Sequence, residues 1–289
     1  MQTTRPLPQT SAAARAALWM VGALASFMLM AIGGRELAGH LSTFQILFFR
    51  SVIGLLVIGV IVLRQDRRLM RTEQFGLHLL RNLVHYGGQW GWFYGLGLIP
   101  LAEVFAIEFT VPVWTALLAA LILGERLTRG RIIAIVFGLV GMLVILRPGV
   151  AAVQPAALAV LGAALGYAMA HTFTKKLTRR DAPLTILFYM TLIQLPLGLI
   201  PSLFGWVTPT PILWAWLTVV GIGALTAHYC MTRALILADA TVVVPMDFLR
   251  LPLIALIGFL FYNEPLAWSV LVGAVIMLVG NLINIRGER

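Results

Sequence analysis

The chain has one cysteine in 289 residues and few charges, and each shortage closes off a class of protein. Cys230 alone cannot form an internal disulfide, and a cysteine cluster for a metal is equally excluded. Charged residues make up only 11% of the sequence, against about 25% in a soluble domain, and 60% are hydrophobic. That balance excludes a water-soluble fold. Catalytic signatures are missing too. There is no HExxH metal motif, no GxSxG nucleophile and no phosphate-binding P-loop. An intramembrane enzyme or an ATP-driven pump therefore lacks its chemistry, and no catalytic residue is expected. The histidines have neither the short spacing nor the carboxylate company of a metal site, so no metal or cofactor is expected.

What the sequence has instead is apolar runs of about 20 residues, enough for a helix to cross ~30 Å of hydrocarbon. Spans fall near 14–36, 43–63, 75–98, 101–123, 131–147, 155–174, 183–204, 211–232, 240–262 and 266–286. The polar N-terminus leads into the first without a cleavage site, so an uncleaved span is expected. Between the spans, sixteen Lys and Arg fall on one side, while only Arg35 and Arg147 fall on the other. The net charge of +10 is thus a topology signal that puts both termini in the cytoplasm of a bacterial-type inner membrane. It is not a nucleic-acid surface, which would gather its charge on one face with exposed rings.

The sequence also repeats. Ile46-Leu47-Phe48-Phe49 returns 140 residues later as Ile186-Leu187-Phe188-Tyr189, and Gly22-Ala23 with Ser26-Phe27 returns as Gly162-Ala163 with Gly166-Tyr167. Glu125, Gly141 and Arg147 match Glu264, Gly280 and Arg286 at an offset of 139. Repeats over 1–148 and 149–289 would each hold five spans, so the second enters the membrane with opposite polarity. The expected fold is all-α, ten transmembrane helices as an inverted five-plus-five repeat, with a site near the midplane.

Ionisable groups inside spans point to that site, because burying one in hydrocarbon costs several kcal/mol. Glu108 and Arg50 lie at similar depths, which permits an ion pair. Adding 139 to Glu108 gives Asp247, about as far into its span from the cytoplasmic side, so one acid is expected near each mouth, and Arg250 follows Asp247 at i+3. Each acid has two readings: a substrate or proton role, or neutralisation of a nearby arginine. Glu103 reads as interfacial, and Arg81 is near enough to an end to snorkel.

The third span contains His85, Tyr86, Gln89, Trp90 and Tyr94 among glycines. Gly87, Gly91 and Gly95 form a smooth stripe for close helix approach. Tyr86, Trp90 and Tyr94 form an aromatic stripe, and His85 with Gln89 a polar one. Rings in mid-span suit a cavity that stacks a flat substrate, although each can also serve packing alone. Gln89-Trp90 aligns with His228-Tyr229, and Phe27 with Tyr167. Pro112 and Pro252 each remove a backbone hydrogen bond inside a span and are candidate hinges or static bends.

Phe48-Phe49-Arg50-Ser51, Pro100-Leu101-Ala102-Glu103, Gly124-Glu125-Arg126-Leu127 and Asn263-Glu264-Pro265-Leu266 together resemble the EamA branch of the drug/metabolite transporter superfamily. The resemblance covers nearly the whole chain. It implies that spans one to four and six to nine line a cavity, with five and ten peripheral. The ring-rich third span is similar to that of YddG-type bacterial exporters of aromatic amino acids; others in the branch carry riboflavin, S-adenosylmethionine or nucleotide-like metabolites. The expected function is secondary-active transport by alternating access, with export of aromatic or other amino acids as the leading reading and uptake of another metabolite as the alternative. The expected partners are a small-molecule substrate, the lipid bilayer and, for coupling, protons.

Overall fold

The computed structural model describes residues 12–123, 129–147, 154–177, 179–237, 246–247, 249–265 and 267–287. They form helices α1 (Ala12–Ala38), α2 (Thr43–Gln65), α3 (Phe75–Leu98), α4 (Leu101–Glu108), α5 (Val111–Leu123) and α6 (Arg129–Leu146). After these come α7 (Pro155–Leu177), α8 (Pro183–Ser202), α9 (Pro211–Leu237), α10 (Arg250–Tyr262) and α11 (Trp268–Gly287). Gly124-Glu125-Arg126-Leu127 and the first part of the ninth span lie outside the described residues.

Helices α1, α2, α7, α8 and α9 are individually long and apolar enough to cross a membrane. Among the others, α3 carries the largest polar load, including buried His78, Arg81, Asn82, His85 and Gln89. Large apolar side chains such as Leu18, Leu56, Leu121, Phe204, Phe261 and Trp268 face outward, as lipid contact requires.

The main pairings are α1 with α9, α3 with α7, α2 with α8 and α6 with α11. Exchanging the two halves converts the first pair into the second and returns the other two to themselves. Details obey the same exchange. Gly141 of α6 lies against the Gly273 carbonyl of α11, and Gly280 of α11 lies against Ala134 of α6. The peripheral position expected for spans five and ten follows from this, since α6 and α11 pack chiefly on each other.

Two expectations need correction. The fourth span is not one helix: α4 ends at Glu108 and α5 restarts at Val111. Pro112 has no N–H to bond the Glu108 carbonyl, and Thr110 bridges the gap by donating its hydroxyl to the Ile107 carbonyl at 2.8 Å. α5 and α10 have thirteen residues each and coincide at an offset of 139, with Pro252 in the first turn of α10. The glycine stripe is also shifted. Gly88, Gly91 and Gly95 press on Ala163, Ala159 and Val160 of α7, whereas Gly87 has nothing near it. Spacings of three and four keep a stripe on one face, while two steps of four drift about 80° around a 3.6-residue helix.

Candidate functional site

The site is built where the fourth span is interrupted and meets the start of α10. Arg250, the first residue of α10, donates from Nη2 to Asp247 Oδ2 at 2.6 Å. Its Nη1 lies 3.5 Å from Glu108 Oε1, at the last residue of α4. One guanidinium thus joins an acid from each half. Phe27, Phe105 and Phe109 surround it, with ring centroids 4.6, 5.5 and 5.3 Å from its central carbon. Desolvated cation–π contacts of this kind contribute about 2 kcal/mol each. Trp92 donates its Nε1–H to Glu108 Oε2 at 2.8 Å and fixes the carboxylate.

This arrangement overturns the pairing of Glu108 with Arg50. Similar depth pointed to Arg50, and the two acids were expected near opposite mouths, but α10 packs on α4 and delivers Arg250, with Asp247, to Glu108. Arg50 lies elsewhere, on α2, and its Nε is buried without a hydrogen-bond partner. Arg81 does not snorkel. It is buried, donating to Asn82 Oδ1 at 2.8 Å and Thr174 Oγ1 at 3.2 Å, because the packing of α3 on α7 covers its stem.

Above Arg81, α3 forms a polar ladder. His85 Nδ1 accepts from Gln194 Nε2 of α8 at 2.9 Å and from Gln89 Nε2 at 3.2 Å. Gln194 also donates to Asn82 Oδ1 at 3.3 Å. The ring of His85 sits 5.5 Å from Tyr167 of α7, and that of His228 sits 5.7 Å from Phe27 of α1. The two ring pairs occupy crossings related by the repeat.

The aromatic stripe divides. Trp90 and Tyr94 stack on each other at 5.0 Å with 9° between planes, and Phe44 approaches Trp90 at 5.9 Å. Tyr86 is buried with its hydroxyl unpartnered. Tyr229 is 55% exposed and meets Trp19 edge-on. It does not join His228, because consecutive helical residues point about 100° apart.

Sequence reasoning missed Gln194, Trp92, Phe105 and the contacts that close the ends. At one end Asp181 Oδ2 accepts from Thr72, Gln74 and His78 at 2.8, 3.2 and 2.9 Å. At the other, Glu264 pairs with Arg35 at 2.5 Å and accepts the Leu101 N–H at 2.7 Å. Asn263 ends α10 in the left-handed region (φ 53°), and the Glu264 N–H folds back to the Gly258 carbonyl at 3.1 Å. Asparagine tolerates that conformation, which aims Glu264 at Arg35. Tyr262 donates to Glu36 at 2.7 Å beside it. The signals were present separately: Arg35 as a rare charge on its side, and Glu264 within a motif.

The sequence profile of the EamA-like transporter family matches residues 14–147 and again 154–286. The chain is 27% identical over 271 residues to an S-adenosylmethionine uptake transporter of Rickettsia prowazekii, covering 94% of this chain and 92% of that one. It is 31% identical over 291 residues to a riboflavin transporter of Rhizobium johnstonii, covering 100% and 96%. It is 27% identical over 278 residues to a pseudopaline exporter of Pseudomonas aeruginosa, covering 93% and 96%. A crystal structure with 18% identity superposes with a TM-score of 0.66 over 93% of this chain and 95% of the other, a likeness of fold. The chain belongs to the EamA-like transporter family. It is an all-α multi-pass membrane transporter of ten spans arranged as an inverted five-plus-five repeat.

Proposed function

We propose that the protein is a secondary-active carrier in which two repeats, 1–148 and 149–289, expose one central site to each side of a bacterial inner membrane in turn, with both termini cytoplasmic. The observation that carries this reading is Arg250 held between Glu108 of one half and Asp247 of the other, beside the break between α4 and α5. Interrupted helices at a repeat interface are where carriers bind their cargo. The polar ladder of His85, Gln89 and Gln194 and the rings of Phe27, Trp90 and Tyr167 supply complementary surfaces. The substrate is a small metabolite that joins a flat ring to an amino-acid-like polar end. Aromatic amino acids, moved outward, fit that description.

A second reading is uptake of S-adenosylmethionine or riboflavin, favoured by the relatives that carry those names. Counterflow in proteoliposomes with labelled phenylalanine, tryptophan, S-adenosylmethionine and riboflavin separates the two. The carrier reading predicts saturable exchange of one of these compounds and its reduction by at least tenfold in Trp90→Ala. Exchange of none, or exchange indifferent to Trp90→Ala, defeats the ring-site assignment. Glu108→Gln and Asp247→Asn test coupling: if either acid carries a proton, the response to an imposed pH gradient disappears in that variant. An intact response with only lower protein yield makes both acids partners of Arg250 alone.

A further inference from the structure

Arg50 is the unusual cation of the interior. It lies on α2, 7% exposed, and its Nε–H is buried without an acceptor. Arg250 has two acids and Arg81 has Asn82 and Thr174, but among the described residues no carboxylate lies within ion-pairing distance of Arg50. A charge buried without its partner is strongly destabilising, so a buried arginine without an acid calls for an anion from outside the chain.

Arg50 lines a small cavity between α2, α8 and α9 together with Ser51, Thr191 and Gln194. Ser51 donates its hydroxyl to the Leu47 carbonyl and Thr191 to those of Leu187 and Phe188, so neither competes for the guanidinium as an anion would. Gln194 connects the cavity to His85 and so to Gln89, whose Oε1 is buried without a donor. An unused donor on Arg50 thus shares a cavity with Gln194, the end of a hydrogen-bonded chain that leads to an unused acceptor on Gln89. That combination complements a group with a carboxylate and a neighbouring ammonium. Tyr167 packs its ring against His85, the next member of that chain.

We infer that Arg50 anchors a carboxylate subsite, separate from the Arg250–Glu108–Asp247 cluster, which receives the acidic end of the transported metabolite. The inference rests on the carrier reading above and names the substrate's charged group. An inorganic anion could satisfy the same fork, and the test includes it.

Purified protein in detergent is titrated with phenylalanine against phenethylamine, and with S-adenosylmethionine against its decarboxylated form. Sodium acetate and sodium chloride are the small-anion arms, and the thermal unfolding midpoint is the readout. Wild type is expected to bind at least one carboxylated member about tenfold or more tightly than its decarboxylated counterpart, the scale of a charge-assisted hydrogen bond. The preference falls below about threefold in Arg50→Gln and returns in part in Arg50→Lys. Should Arg50→Gln not fold, the near-isosteric Gln194→Glu puts an internal carboxylate beside the guanidinium and removes the same preference. A preference that survives these changes, a response to chloride or acetate alone, or no response to any compound overturns the assignment. Proteoliposomes separate the two levels. Carboxylate-selective binding without movement defeats the carrier reading and leaves the subsite standing. Riboflavin exchange unaffected by Arg50→Gln does the reverse.

Discussion

The same corner of the fold occurs once at each membrane face, and its chemistry differs. On the face rich in basic residues, the α7–α8 connection meets the start of α3, where Asp181 gathers Thr72, Gln74 and His78. On the other face, the α1–α2 connection meets the segment before α9. There Gln45 donates to the Val207 carbonyl at 2.9 Å and accepts the Val207 N–H at 3.3 Å. Asp181 has a side chain 7% exposed, so its charge depends on its three donors. Gln45 is neutral and bridges only main chain. The repeat preserved the contact and not the interaction, which teaches that the two corners are held with different strength. A carrier whose halves were chemical copies would have two ends of equal strength.

Four substitutions rank that difference. Arg250→Ala sets the upper limit, because it leaves Glu108 and Asp247 uncompensated at the point shared by both halves. A loss of about 3–5 kcal/mol is expected, seen as a collapse of monodisperse protein after extraction and loss of transport. Asp181→Ala comes next. It strips an acceptor from three buried or half-buried donors and should destabilise by about 3 kcal/mol, read as a lowered unfolding midpoint. The same variant should raise thiol-reagent access to a cysteine placed on α3 from the basic face.

Glu264→Gln removes the ion pair with Arg35 and keeps an acceptor for the Leu101 N–H. Its expected cost is about 1–2 kcal/mol, with increased access from the opposite face. Gln45→Ala is the smallest, about 1 kcal/mol for neutral bonds. Equal midpoints for Gln45→Ala and Asp181→Ala would break the comparison. A further sharpening is available at Gly258, whose added Cβ would collide with the Glu264 carboxylate. Gly258→Ala should loosen the outer contact as Glu264→Gln does, without altering any charge.

Several parts of this picture were legible in the residues. Span positions followed from apolar length, and the offset of 139 marked Glu108 and Asp247 as repeat equivalents, though not as neighbours on one arginine. Pro112 marked the interruption of the fourth span, although the full separation of α4 and α5 was not anticipated. Partner choice was less legible. Depth along a span is one coordinate, and it set Glu108 beside Arg50 and away from Arg250. Which one it meets depends on how α4 rotates against α10, and no pattern within either helix encodes that. Trp92 read as one ring among many, yet its N–H holds Glu108. Gln194 was passed over because it stands alone in an apolar helix and acquires meaning only opposite His85.

Taken alone, the sequence determined that this chain lives in a membrane, crosses it repeatedly and is built from two like halves. Those properties come from local quantities: transfer free energy summed along a helix, charge bias between helices, and similarity at a constant offset. Tertiary structure decided that Arg250 rather than Arg50 joins the acids, that Gly88 rather than Gly87 contacts α7, and that Asp181 and Glu264 close opposite ends. Each is a contact between helices distant in sequence. Its identity depends on the rotation and crossing of two packed cylinders, which side-chain volumes and hydrogen bonds fix only once the whole bundle has assembled.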